Sequence, residues 1–248
     1  MKLTVTAFFM AWGMFWMIPC PLKWWDERAR MGMLLFLPAI GALIGFVWAV
    51  CVILAERFIP GKIAAAILTV MPYILSGFIH LDGYMDCADA VLSRRDLETR
   101  RAILKDSHIG SFAAVALVTL FLSEYSVFSG YELGTKAWLL PLVCAAPRAL
   151  CTCTVLGYKP LPGSSYERMF SEGVPAWAKT TALLILAAVV IVPPILFGKK
   201  GLCTAAGALC AWLTIAYIRY DLQGMSGDVS GAGTTLGELG ALVALALL

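Results

Sequence analysis

The residues best suited to chemistry lie in one ten-residue block, His80-Leu81-Asp82-Gly83-Tyr84-Met85-Asp86-Cys87-Ala88-Asp89. Its three carboxylates stand at i, i+4 and i+7. On a helix these offsets fall at 0°, about 40° and about −20°, so Asp82, Asp86 and Asp89 project from one face. Carboxylates held that close repel one another and resist ionising together. A divalent cation with oxygen ligands resolves the conflict. Mg²⁺ suits the case, since it binds through one or two carboxylates plus substrate phosphates. Gly83 gives a phosphate ester room to approach the backbone. His80 points away from the carboxylates and is read either as a substrate contact or as a hydrogen-bonded structural histidine. A solvated polar helix face is the alternative for the whole block.

Three further clusters could serve the same chemistry. Lys105-Asp106-Ser107 stands at the edge of an apolar window and could clamp a phosphate or align the carboxylates, although a lysine there could also simply snorkel. The nearby Arg94, Arg95, Arg100 and Arg101 read as a solvated basic run. Arg148 interrupts an apolar window, which is costly unless it meets an anion: a phosphate, an aspartate, or a structural partner. Gly227-Asp228, followed by Glu238, lies in a glycine-rich segment where backbones or ligands can approach closely. Asp228 could complete a metal site, and Gly227 could lie against substrate.

These clusters must be positioned by membrane helices. Hydrophobic residues make up 60% of the chain and charged ones 14%, against about 25% charged in a soluble domain. The mean hydropathy is +0.83. Apolar windows at 31–55, 63–79, 109–123, 137–158, 180–198, 201–218 and 229–248 predict an all-α bundle of about seven spans. Residues 3–22 end in Pro19-Cys20-Pro21 before Lys23-Trp24-Trp25, and read as an interfacial or re-entrant helix, with a full span as the alternative. One membrane-embedded catalytic domain, residues 1–248, is expected. Most of the eight cysteines lie inside apolar windows and read as small hydrophobes. A net charge of +3 argues against a nucleic-acid partner.

Lysine and arginine distribution sets the expected orientation. The segments 23–30, 80–107, 159–179 and 219–228 carry twelve against five for the alternate segments. The richer side is expected to face the cytoplasm. It also carries the acidic block, Lys105-Asp106-Ser107, Tyr166-Glu167-Arg168 and Gly227-Asp228, as an active site at one membrane face requires. A transporter would instead place charges near mid-span.

In order along the chain, these blocks resemble the cobalamin synthase family, adenosylcobinamide-GDP ribazoletransferase. The His-x-Asp-Gly-x-x-Asp-x-x-Asp pattern is matched at 80–89, Lys-Asp-Ser-x-x-Gly at 105–110, and Gly-Asp-x-x-Gly-Ala at 227–232 with Glu238 beyond it. The run Pro38-Ala39-Ile40-Gly41-Ala42-Leu43-Ile44-Gly45 is similar to the family's first span. Where the family carries a Thr-Arg pair ahead of Pro19-Cys20-Pro21, this chain reads Phe15-Trp16-Met17-Ile18.

The resemblance implies that α-ribazole, or its 5′-phosphate, attacks adenosylcobinamide-GDP through its 3′-hydroxyl at the phosphorus nearer the cobinamide. GMP leaves, with Mg²⁺ as cofactor. With the residue reading, it implies catalytic roles for Asp82, Asp86, Asp89, Lys105 and Asp106. Substrate contacts follow at His80, Gly83, Ser107, Arg148 and Gly227, and metal ligands at Asp82, Asp86, Asp89 and Asp228. Asp89 serves as ligand or base. The expected setting is the inner membrane of a prokaryote, with lipid as surroundings and homo-oligomerisation left open. The rivals are a CDP-alcohol-type phosphotransferase, whose motif has a second Asp before the Gly and a later Ala-Arg, and a cation transporter with a carboxylate relay.

Overall fold

A computed structural model describes residues 2–170 and 173–248. Twelve α-helices occur among them: α1 (Lys2–Phe15), α2 (Arg30–Leu35), α3 (Leu37–Phe58), α4 (Gly61–Leu75), α5 (Ile79–Leu92), α6 (Leu97–Ile103), α7 (Ser111–Gly130), α8 (Leu140–Gly157), α9 (Ser165–Met169), α10 (Ala176–Phe197), α11 (Leu202–Leu222) and α12 (Gly227–Leu247). There is no strand among the described residues, and the extended pairing is an isolated bridge between Pro160 and Met225. The all-α membrane bundle expected from the sequence is thus the observed architecture.

The spans differ from the expected seven. Five helical segments are long and apolar enough to cross a membrane, and a sixth is available if the bent pair α4–α5 counts as one. Windows 180–198 and 201–218 fall in one stretch, Ala176–Leu222, broken by a 3₁₀ turn at Gly198–Gly201. Window 63–79 does not continue straight into the acidic block. Gly77 and Phe78 both take left-handed φ (65° and 62°), and α5 leaves α4 at 95°. The Phe78 amide closes the turn on the Tyr73 carbonyl at 2.8 Å. Hydropathy cannot register such a break, because Ser76-Gly77-Phe78 reads as a continuation of the apolar run.

Helix α1 has 14 residues, about 21 Å, which is short of the roughly 30 Å hydrocarbon core. It is tied down where the Met17 amide donates to the Leu75 carbonyl at 2.8 Å, next to the α4–α5 bend. That favours the interfacial or re-entrant reading over a full span.

The core forms where α12 packs against α5, α8 and α11, and where α3 packs against α8. Close approach of α12 to α5 depends on absent side chains. A methyl on Gly83 would lie 2.7 Å from the Asp228 Cα, and one on Gly231 would lie 2.9 Å from the His80 carbonyl oxygen. Backbones packed this closely bring Asp228, in the first turn of α12, against the acidic face of α5. All eight cysteines are free.

Candidate active site

Helix α5 delivers the acidic block, and its three carboxylates do not share one environment. Asp82 is exposed and Asp86 is half-buried. Asp86 lies within electrostatic range of Asp82, Asp89 and Asp228, and Asp228 within range of Asp82. Asp228 is held at the start of α12 by Ser226. The Ser226 hydroxyl donates to Asp228 Oδ2 at 3.2 Å and accepts the Val229 amide at 3.3 Å, capping the helix. Gly227 faces open space, so no neighbour demands a glycine there and a ligand has room. Asp82, Asp86 and Asp228 therefore form the acidic centre, drawn from two helices held together at Gly83.

Asp89, expected as ligand or base, also has a second task. It is only 9% exposed. Its Oδ2 accepts the Gly110 amide at 2.7 Å and its Oδ1 the Ala113 amide at 3.0 Å. Both oxygens thus serve orphan donors at the start of α7, a capping arrangement supplied from another helix. The third member of the periodic triad is a fastener between α5 and α7. Asp89→Ala is expected to cost about 1–2 kcal/mol, the range for a lost cap. Amide exchange at Gly110 and Ala113 should accelerate; unchanged protection at both would show that the cap carries no stability.

Among the described residues, no three His, Cys, Asp or Glu side chains converge so as to hold a metal ion by themselves. The expected ligands Asp82, Asp89 and Asp228 all lie within electrostatic range of Asp86, and of the four Asp89 has both oxygens engaged by amides. Asp82 and Asp86, one turn apart on α5, offer the hard-oxygen donors that Mg²⁺ takes alongside substrate phosphates.

The other expected residues fall around this centre. Lys105 is exposed, and its Nζ would lie 2.9 Å from a methyl on Gly163, so it leans on the loop after Leu161. That loop is joined to α12 by paired backbone bonds: Met225 N–H to Lys159 O at 2.9 Å and Leu161 N–H to Met225 O at 2.8 Å. Asp106 turns toward His108, accepting its amide at 3.1 Å and meeting its ring Nδ1 at 2.6 Å. The contact holds the Asp106 carboxyl below the usual carboxylate range and raises the His108 imidazole. Asp89, Asp106 and His108 line one cleft of about 540 Å³, while Ser107 is exposed beside it. Segments 80–89, 105–110, 159–167 and 223–228 are thus joined by direct contacts, as their shared alternation along the chain anticipated.

His80 is only 7% exposed, packs against the Phe15 ring at 5.7 Å between centroids, and its Nε2 has no protein partner. Burial behind Phe15 sets it within the packed interior, without the Nε2 hydrogen bond that the structural reading expected. Arg148 is 1% exposed and pairs with Glu238, itself 5% exposed, while also donating to the Cys144 carbonyl at 2.8 Å. Of the partners considered for this arginine, the structural one is present. The basic run is not simply solvated either. Arg100 pairs with Asp221, and Arg101 donates to the Leu222 and Gln223 carbonyls at 3.1 and 3.5 Å, closing the C-terminus of α11.

Glu124 is a further buried acid, just past the apolar window 109–123: α7 runs on to Gly130 and leaves Glu124 1% exposed, hydrogen-bonded by the Tyr73 hydroxyl. The available signal was the apolar Val127-Phe128 pair one turn further on.

Comparison with known proteins is consistent along the whole chain. The family model described as cobalamin-5-phosphate synthase matches residues 7–246. An adenosylcobinamide-GDP ribazoletransferase of Clostridium perfringens is 33% identical over 254 residues, with all of both chains covered. Proteins of the same name from Clostridium botulinum and Halalkalibacterium halodurans are 31% and 30% identical, covering 96% and 87% of this chain and 96% and 85% of their own. No solved structure matches. A family model spanning nearly every residue, and relatives aligned end to end, place the acidic centre in a known lineage: the chain belongs to the cobalamin-5-phosphate synthase family.

Proposed function

We propose that the protein is an adenosylcobinamide-GDP ribazoletransferase. It joins α-ribazole, or its 5′-phosphate, to adenosylcobinamide-GDP with release of GMP, in the synthesis of cobalamin. The observation that carries this reading is the acidic centre itself. Asp82 and Asp86 stand on one face of α5 with Asp228 brought against them by the Gly83 approach, in a chain that matches the family from end to end.

Asp82 and Asp86 would hold Mg²⁺ together with phosphate oxygens of the substrate. The ion would neutralise charge on the transferring phosphoryl group. Asp228, outside that pair and steadied by Ser226, takes the proton of the attacking 3′-hydroxyl. Lys105 reaches the same face from the loop before α7 and orients a phosphate oxygen. The backbone amides at the start of α12 add the partial positive charge of a helix N-terminus. The bundle lies in the inner membrane with these segments toward the cytoplasm, which the excess of lysine and arginine in them supports.

The test is direct. Purified protein supplied with adenosylcobinamide-GDP and α-ribazole should release GMP and form a cobalamin product, and chelation of divalent cations should stop the reaction. Turnover that persists unchanged in chelator removes the metal from the proposal. Absence of GMP release under any condition overturns the transferase reading.

A further inference from the structure

A second cleft, of about 460 Å³, opens between α6, α11 and the loop after α8. It is lined by Arg100, Lys159, Arg219, Tyr220, Asp221 and Gln223, with Gly224 at its edge. We propose that this cleft binds the dianionic phosphate of a nucleoside 5′-monophosphate used or released at the active site. The proposal rests on the transferase reading and names the part of its substrates that this cleft would hold.

Charge is the first argument. Three cations surround one carboxylate, Asp221, which Arg100 engages. The surplus of two positive charges complements a phosphate dianion. Available donors are the second. The Nε atoms of Arg100 and Arg219 are buried and have no protein acceptor. The Arg219 guanidinium lies over the Tyr158 ring, 4.3 Å from its centroid. The ring holds the guanidinium at the cleft, and an arginine fork is the group that recognises phosphate.

A bland alternative is that these cations only neutralise the C-terminal carbonyls of α11. That task is performed by Arg101, which donates to Leu222 and Gln223. Arg100 is matched by Asp221, and the charges of Lys159 and Arg219 remain for something else.

Position is the third argument. Lys159 is joined through its backbone to Met225, and Asp228 follows three residues later, at most about 10 Å of chain. A nucleotide spans that distance. Two nucleoside 5′-monophosphates belong to the proposed reaction. The α-ribazole 5′-phosphate acceptor carries its phosphate across the ribose from the attacking 3′-hydroxyl, whereas GMP, whose phosphate leaves at the acidic centre, occupies the cleft only once released. Both present the same phosphate chemistry.

The experiment uses the full-length protein in detergent, with Lys159→Gln and Arg219→Gln. Two quantities are measured: the affinity for GMP by calorimetry, with guanosine as the phosphate-free control, and the ratio of kcat/KM for α-ribazole 5′-phosphate over α-ribazole. Loss of a charge-assisted phosphate contact should lower one of them by about tenfold or more, while guanosine and unphosphorylated α-ribazole behave as with the parent. Loss of the kcat/KM preference places the acceptor phosphate in the cleft. Loss of GMP affinity places the nucleotide there after its release. If both quantities stay at parental values in variants that melt like the parent, the proposal is overturned. Should Arg219→Gln melt early, Lys159→Gln decides alone, because its side chain is exposed. A parent that releases no GMP from adenosylcobinamide-GDP defeats the transferase reading, yet leaves the GMP titration interpretable for the cleft.

Discussion

Asp82→Asn and Asp86→Asn should each reduce GMP release by at least about 100-fold, the consequence of losing a few kcal/mol of transition-state stabilisation at a charged oxygen ligand. Stability should move the other way or not at all. Asp82 is exposed, so the fold draws little from it. Asp86 sits among three other carboxylates, so replacing its charge relieves repulsion within the folded protein. The combination of lost turnover and an equal or higher melting temperature separates a catalytic carboxylate from a structural one. Asp89→Ala provides the contrast, because there stability should fall with the cap on α7. Parental turnover in both asparagine variants would remove these residues from the mechanism.

Arg148→Met should be the most destabilising single change considered. It strands Glu238 as a buried charge that has lost its only ion-pair partner among the described residues. Breaking a buried pair from one side costs about 3–5 kcal/mol, or roughly 6–20 °C in melting temperature for a chain of this size. The double variant Arg148→Met with Glu238→Gln should recover much of the loss, since neither charge is then left alone. A single variant that melts like the parent would mean that water or another group reaches Glu238. A loss in adenosylcobinamide-GDP affinity without loss of stability would return Arg148 to the substrate.

Periodicity placed Asp82 and Asp86 on a common face, because helical spacing is local information. It could not show that Asp89 on the same face would be captured by amides 21 and 24 residues away. Arg148 was recognisable as a residue in need of an anion, yet Glu238 is 90 positions distant, and only the packing of α8 on α12 selects it. Window alternation grouped the segments that meet around Asp228, since charge and polarity vary along a membrane chain in register with its crossings. The role of Gly83 was foreseen as room for a phosphate; in the structure that room admits the backbone of α12. The basic cleft is not legible in the sequence because Arg100, Lys159 and Arg219 belong to three separate segments, each of which alone looks like an ordinary positive boundary.

The break at Gly77-Phe78 sets how far the chain runs before the acidic block begins. Helix α4 ends after 15 residues, about 22 Å of rise, short of a hydrocarbon thickness of about 30 Å. The pair α4–α5 therefore reaches span length only when both arms are counted, and the second arm turns away at 95°. Asp82, in the first turn of α5, is carried at that corner rather than along a straight crossing.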